Sequence, residues 1–195
     1  SANFDNIADV QMLSPTLLGA YLNAADQISR LALGDRTATA EAKTYEKPGY
    51  FSQWDRDKGA PFGTRGGITV THNFPADGKY VLPMAFDHTT TGGYYGRTSR
   101  FEQLEISVDG ERVALLEMDQ WMHVQDRNGV NMETEPIAIK AGPHRISAAF
   151  IKKTEGPMED LVSPHEWSLA DRQIGDGGYG ITAPPHMKEM AIVGP

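Results

Sequence analysis

Gly67-Ile68-Thr69-Val70-Thr71-His72-Asn73-Phe74-Pro75-Ala76-Asp77-Gly78-Lys79-Tyr80-Val81-Leu82-Pro83-Met84-Ala85-Phe86 is the stretch that decides the fold. Ile68, Val70, His72 and Phe74 alternate with Thr69, Thr71 and Asn73, a period of two that turns one side of an extended chain toward a core. His72 continues the apolar face and is read as a satisfied core residue. Pro75-Ala76-Asp77-Gly78 makes a turn, after which Tyr80, Leu82, Met84 and Phe86 resume the alternation. The pattern recurs downstream. Leu104, Ile106 and Val108 run into Asp109-Gly110, a two-residue hairpin signal, and Val113 to Met118 return. Ile137 and Ile139 precede the turn Ala141-Gly142-Pro143, Ile146, Ala148 and Phe150 follow it, and a last strand is expected over Met187 to Val193. Seven short strands with turn punctuation predict a mainly β protein, an antiparallel β-sandwich of jelly-roll or galactose-binding-like type with an N-terminal helix.

The helix is read from Ser14, a good N-cap, and Pro15, suited to the first helical position. Leu18, Tyr21, Leu22, Ala25, Ile28 and Ala32 then fall at spacings of three and four until Gly34 stops the run, so one face is expected to be covered. Residues 1–45 are assigned to a helical arm and 46–195 to the sandwich, with a short strand near Lys43 to Glu46. The chain opens Ser1-Ala2 without methionine and is read as cut from a longer protein.

Composition sets further bounds. With 195 residues, 39% of them apolar, the chain is long enough to bury about 70% of its unfolded surface without staples. The absence of cysteine excludes disulfides, Cys-based zinc sites, a thiol nucleophile and haem attachment through C-x-x-C-H. A net charge of −8 argues against nucleic acid and anionic membrane as partners. No apolar stretch approaches the ~20 residues of a membrane span, so no membrane insertion is expected.

If consecutive strands run antiparallel, the short turns at 75–78, 109–110 and 141–143 share one end of the sandwich. The long connections at 88–100, 119–134 and 154–186, with the lead-in 46–66, then share the other, where binding surfaces are commonly built. Trp54, Trp121, Trp167, Tyr50, Tyr94, Tyr95 and Tyr179 lie in these loops, against only Phe51 and Phe62 of seven phenylalanines. That split predicts amphipathic aromatics at a wet rim and plain hydrophobes in the core. A pyranose offers a C–H face to such rings, while its hydroxyls need carboxylates, amides and guanidinium groups. The candidate ligand-binding residues are therefore Tyr94, Tyr95, Arg97, Trp121, Asp126, Asn128, Trp167 and Tyr179; the alternative has Trp121 and Trp167 plugging a small core beneath the loops. Six acids between residues 154 and 180 stand against Arg172 alone, and calcium is the ion that Glu155, Asp160, Asp171 and Asp176 would take. Solvated loop carboxylates are the alternative. Catalytic signals are poor: His165-Glu166 lacks the second histidine of H-E-x-x-H, and no G-x-S-x-G elbow exists. The module is therefore read as non-catalytic.

Two groups of residues carry a family resemblance. Phe4-Asp5-Asn6-Ile7-Ala8-Asp9-Val10, Leu13-Ser14-Pro15 with the helix to Leu33, Thr64-Arg65-Gly66-Gly67-Ile68 and the run from His72 to Gly78 resemble the planctomycete-type cytochrome c proteins. Glu155-Gly156-Pro157, Pro164 to Asp171, Tyr179 to Thr182 and the end through Val193-Gly194-Pro195 are similar to the same proteins. Those are multi-domain extracytoplasmic proteins with domains of unknown function. The resemblance implies a periplasmic or secreted location, haem in a separate domain rather than in this segment, and a carbohydrate-binding-type β-sandwich from about Gly67. The turns Asp77-Gly78, Asp109-Gly110 and Ala141-Gly142-Pro143 resemble those modules, but they lie opposite the long loops and carry over no ligand residue. The implied partner is a polysaccharide or oligosaccharide; alternatively, the loop rim docks against neighbouring haem or helical domains of the parent chain.

Overall fold

Ser14 opens α1 (Pro15–Leu33): its hydroxyl accepts the Leu17 N–H at 3.1 Å, and Pro15 occupies a position whose missing N–H costs nothing. Gly34, at a φ of 83°, ends the helix, its N–H donating to the Arg30 carbonyl. The structure, a computed structural model, describes residues 14–35, 37–47, 53–96, 101–153 and 184–195. Among the described residues, nothing covers the helix as expected. Leu18, Tyr21, Leu22 and Ile28 are all exposed, because α1 meets the rest of the protein at its C-terminal end, where the Asp35 N–H donates to the Pro75 carbonyl. No helix among the described residues is long and apolar enough to cross a membrane.

Ten strands follow among the described residues: β1 (Glu41–Glu46), β2 (Thr64–Phe74), β3 (Gly78–Tyr80), β4 (Pro83–Phe86), β5 (Gln103–Val108), β6 (Glu111–Glu117), β7 (Asn131–Glu133), β8 (Ile137–Ile139), β9 (Gly142–Ile151) and β10 (Met187–Gly194). Their pairing is nested and antiparallel throughout. β1 pairs with β10, β2 with β9, β3 with β8, β4 with β7 and β5 with β6, as in one long folded ribbon. The ribbon is wrapped so that β10 also pairs with β4 and β9 with β5. The results are sheets β1-β10-β4-β7 and β2-β9-β5-β6, with β3-β8 as a short flank. This is the strand order of a jelly roll, two Greek keys wound together, so the antiparallel sandwich holds.

The alternating residues fill the space between the sheets. Tyr80, Leu82, Met84 and Phe86 are all buried, together with Ile68, Phe74, Leu104, Ile106, Ile146, Phe150, Met187, Met190 and Ile192. Phe86 meets Phe150 across the sandwich at 6.1 Å between ring centroids. Three details depart from expectation. β1 pairs residue for residue with β10, so the boundary drawn after residue 45 runs through a strand of the sandwich. β7 rises from a stretch read as loop; three residues carry no period to detect. The strand expected from Tyr80 to Phe86 splits at Leu82, whose N–H turns to the Thr134 hydroxyl as the chain leaves the flank sheet.

The short turns do gather at one end. Asp109 and Gly110 both adopt positive φ, 54° and 91°, the pair of left-handed residues that a two-residue hairpin requires. The Asp109 carboxylate holds the Arg145 N–H at 2.8 Å and the His144 ring at 2.6 Å, and the His144 hydrogen bond leads in keeping its pKa below the usual range. Asp77 ties in the third turn through the Ala141 N–H.

At the opposite end, the buried amide of Gln53 bridges the sheets. Its Oε1 accepts the N–H groups of Gly67 in β2 (3.0 Å) and Met187 in β10 (2.9 Å), and its Nε2 donates to the Met187 carbonyl at 2.8 Å. Gln53→Ala strands buried backbone groups and should lower the unfolding free energy by about 3 kcal/mol in urea titrations; a loss within error would show that water replaces the amide. A second bridge joins β1 to β2, Tyr45 Oη to His72 Nδ1 at 2.8 Å. Burial first, then Lys43, pushes His72 below its ordinary 6.5, against an opposing pull from Glu41. The unfolded chain therefore takes the proton first as pH falls, and stability drops below about pH 6.5. Urea midpoints at pH 7.5 and 5.5 should differ less in His72→Gln than in the parent; equal differences would exclude His72 as the source.

Candidate functional site

The long connections converge as their lengths predict. His88 bridges Tyr94, Gly93 bridges His123, the Val124 N–H donates to the Gly92 carbonyl, and the Asp87 N–H donates to the His186 carbonyl. Gly92 permits the close approach of two loops: at φ 93° a Cβ there would lie 2.6 Å from Val124 and 2.8 Å from the His123 ring. The rim is built on a backbone stitched to itself.

Residues 119–131 show how that stitching presents a side chain. The Asp119 carboxylate takes the Trp121 N–H at 2.9 Å, Met122 plugs into the core, and the Asp126 carboxylate takes the His123 N–H at 2.7 Å. His123 Nδ1 accepts the Gln125 N–H, so Nε2 carries the proton and donates to the Thr91 carbonyl at 2.9 Å. The Asn128 carbonyl accepts from Asn131 Nδ2 at 2.7 Å. Between these anchors Trp121 stands 64% exposed, with Asp126 and Asn128 exposed on the same loop. A ring held on a preformed backbone, beside a carboxylate and an amide, suits an amphipathic ligand that stacks and hydrogen-bonds.

Other predicted rim residues fare differently. Tyr94 is a core residue: 1% exposed, edge-on to Phe86 at 5.9 Å, its hydroxyl buried without a hydrogen-bond partner among the described residues. Burial, then the nearby Glu102, holds its pKa well above the ordinary value. The strand-like bridges at Gly93 and Tyr94 turn this ring inward, so it cannot touch a ligand at the rim. Tyr95 is half-buried with its ring 6.4 Å from that of His186, and Trp54 is half-buried. The expected division of aromatics is reversed in part, since Phe62 and Phe101 are 90% and 86% exposed. The Arg56 guanidinium covers Phe62 at 4.6 Å. Arg97, Trp167 and Tyr179, and the calcium candidates Glu155, Asp160, Asp171 and Asp176, lie outside the described residues. Among the described residues no group of three or more His, Asp or Glu is placed to hold a metal ion.

A buried polar cluster beneath the rim escaped the sequence reading. Arg65 and Glu102 form an ion pair at 2.9 Å with both side chains under 10% exposed (7% and 5%), and Lys153 Nζ lies 3.6 Å from Glu102. The Arg65 guanidinium also sits over the Phe150 ring at 5.0 Å. The only available signal was an arginine in a strand just before Gly66-Gly67, and a period-two reading assigns charges to the solvent face. Tyr94→Phe removes an unpartnered buried hydroxyl beside this cluster. Its thermal midpoint should equal or exceed the parent's, corresponding to as much as about 1 kcal/mol, and a clear drop would reveal a partner for the hydroxyl.

Against known proteins, a family model described as PSD3, a protein of unknown function (DUF1587), a domain found in planctomycete cytochrome c proteins, matches residues 1–34. No curated protein sequence matches the chain. Among solved structures, dimeric latent PorU from Porphyromonas gingivalis aligns with a TM-score of 0.35 and 10% identity over 83% of this chain, which spans 14% of PorU. The EclA C-terminal domain, a sugar-binding protein, aligns with a TM-score of 0.33 and 12% identity over 82% of each chain.

Proposed function

We propose that this chain is a non-catalytic carbohydrate-binding module whose loop-bearing end takes a glycan. The observation that supports it is Trp121, an exposed indole on a loop whose backbone is already immobilised, with Asp126 and Asn128 beside it. The ring packs on the C–H face of a pyranose, while the carboxylate and amide bind hydroxyls. Because the loop is ordered before binding, little conformational entropy is lost on association. The same proposal assigns further ligand contacts to Tyr95, Arg97, Trp167 and Tyr179, and calcium to Glu155, Asp160, Asp171 and Asp176. It assigns the chain to an extracytoplasmic, cytochrome-c-linked parent protein.

A second reading, in which the rim docks against neighbouring domains of that parent, draws on Phe62 and Phe101, exposed rings whose own side chains offer no hydrogen bond.

Saccharide screening followed by calorimetry, with calcium and with chelator, tests the first reading. Trp121→Ala should weaken a glycan at least about tenfold with an unchanged unfolding midpoint, the loss expected of a stacked ring. Absence of any saccharide ligand at millimolar concentration in both conditions would end the glycan reading.

A further inference from the structure

The exposed face of α1 lies outside the proposed sugar site and forms a surface of its own. At 100° per residue, Leu17, Leu18, Tyr21, Leu22, Ile28 and Leu33 fall within an arc of about 160°, and each is 45 to 81% exposed. A lone helix of this length is marginal in water, so an uncovered apolar stripe calls for an occupant. A membrane surface is a poor one. The helix has a single basic residue, Arg30, which is paired with Asp26 at 2.9 Å and Asp35 at 3.1 Å, and the chain carries a net charge of −8.

We propose that the occupant is a second copy of this chain, paired antiparallel through α1. Ala25 lies at the centre of the arc and near the middle of the helix, so two helices can cross there at close range. In that register, Leu17 of one copy faces Leu33 of the other, Leu18 faces Ala32, Tyr21 faces Ser29 and Leu22 faces Ile28, so large side chains meet small ones at two of the four pairs. Asp26 and Arg30 fall outside the arc, so the contact buries no charge. A 160° strip along a helix about 28 Å long covers about 500 Å² per copy, and the pair reaches the roughly 1,000 Å² of a specific interface.

The tether selects the orientation. Each sandwich is attached at the C-terminal end of its helix, through Gly34 and Asp35. Parallel pairing would bring two acidic bodies, each of net charge −6 over residues 34–195 (17 basic against 23 acidic side chains), to the same end. Antiparallel pairing sets them a helix length apart, well beyond the Debye length of about 8 Å at physiological ionic strength, and opposes the two helix dipoles.

Sedimentation velocity of the whole chain between 1 and 200 μM should show a shift from one chain mass to two. Leu22→Glu combined with Ile28→Glu should hold it at one, with the dissociation constant raised at least about a hundredfold and the melting of the sandwich unchanged. The cysteine-free background gives a second reading of the geometry. Under mild oxidation Ala25→Cys should cross-link to itself, whereas Leu18→Cys, which faces Ala32, should not. A single-chain mass throughout the range, a dimer that survives the double glutamate variant, or equal cross-linking of the two cysteine variants would overturn the proposal.

Discussion

One primary amide ties the two sheets of this jelly roll together at the loop-bearing end. Gln53 satisfies Gly67 on β2 and both backbone groups of Met187 on β10, strands of different sheets that no backbone ladder joins. The clasp depends on Gly66-Gly67, where the β2–β9 register slips between Arg65 and Ile68. A Cβ on Gly67 would lie 2.0 Å from the Ala148 carbonyl oxygen, and one on Gly66 would strike Gln53 itself. Only glycine lets β2 approach both neighbours at once, and the positive φ of both residues suits glycine for the same reason.

The slip has a consequence for the rim. It turns Arg65, a residue at the start of a strand, into the interior, where Glu102 meets it and Phe150 supports its flat face. Taking two charges out of water roughly cancels their attraction, so the pair adds little net stability; what it specifies is geometry, because each charge buried alone would be costly. Glu102 in turn receives the Met118 N–H on its backbone carbonyl, which positions the start of the loop that carries Trp121. The candidate site thus rests on a chain of constraint running from two glycines through an ion pair to an exposed indole.

Much of the fold was legible because its signals are local. Ser14-Pro15 and Gly34 bound the helix, Asp109-Gly110 supplies the two left-handed residues of a tight turn, and the alternation from Tyr80 to Phe86 matches the burial of those four side chains. Connection lengths alone placed the short turns at one end and the long loops at the other. The candidate site was legible only in part. Trp121, Asp126 and Asn128 share an exposed loop, but Tyr94 is core, and Phe62 and Phe101 took the exposure expected of tyrosine. Side-chain amphipathicity says where a residue tolerates water, and a loop's bridging partners decide which way it faces.

Period, caps and turn chemistry act over a few residues, and they suffice for α1, the Asp109-Gly110 hairpin and the hydrophobic faces of the longer strands, but not for β7 or the break at Leu82. Tertiary structure alone decided the nested pairing of first strand with last, the burial of Arg65 with Glu102, and the inward turn of Tyr94. Each of these joins residues far apart along the chain, and the free energy of such contacts depends on the shape and charge of the partner side, which no local pattern encodes. The bare face of α1 belongs to both accounts: the sequence marked it as a surface to be covered, and the fold left it exposed.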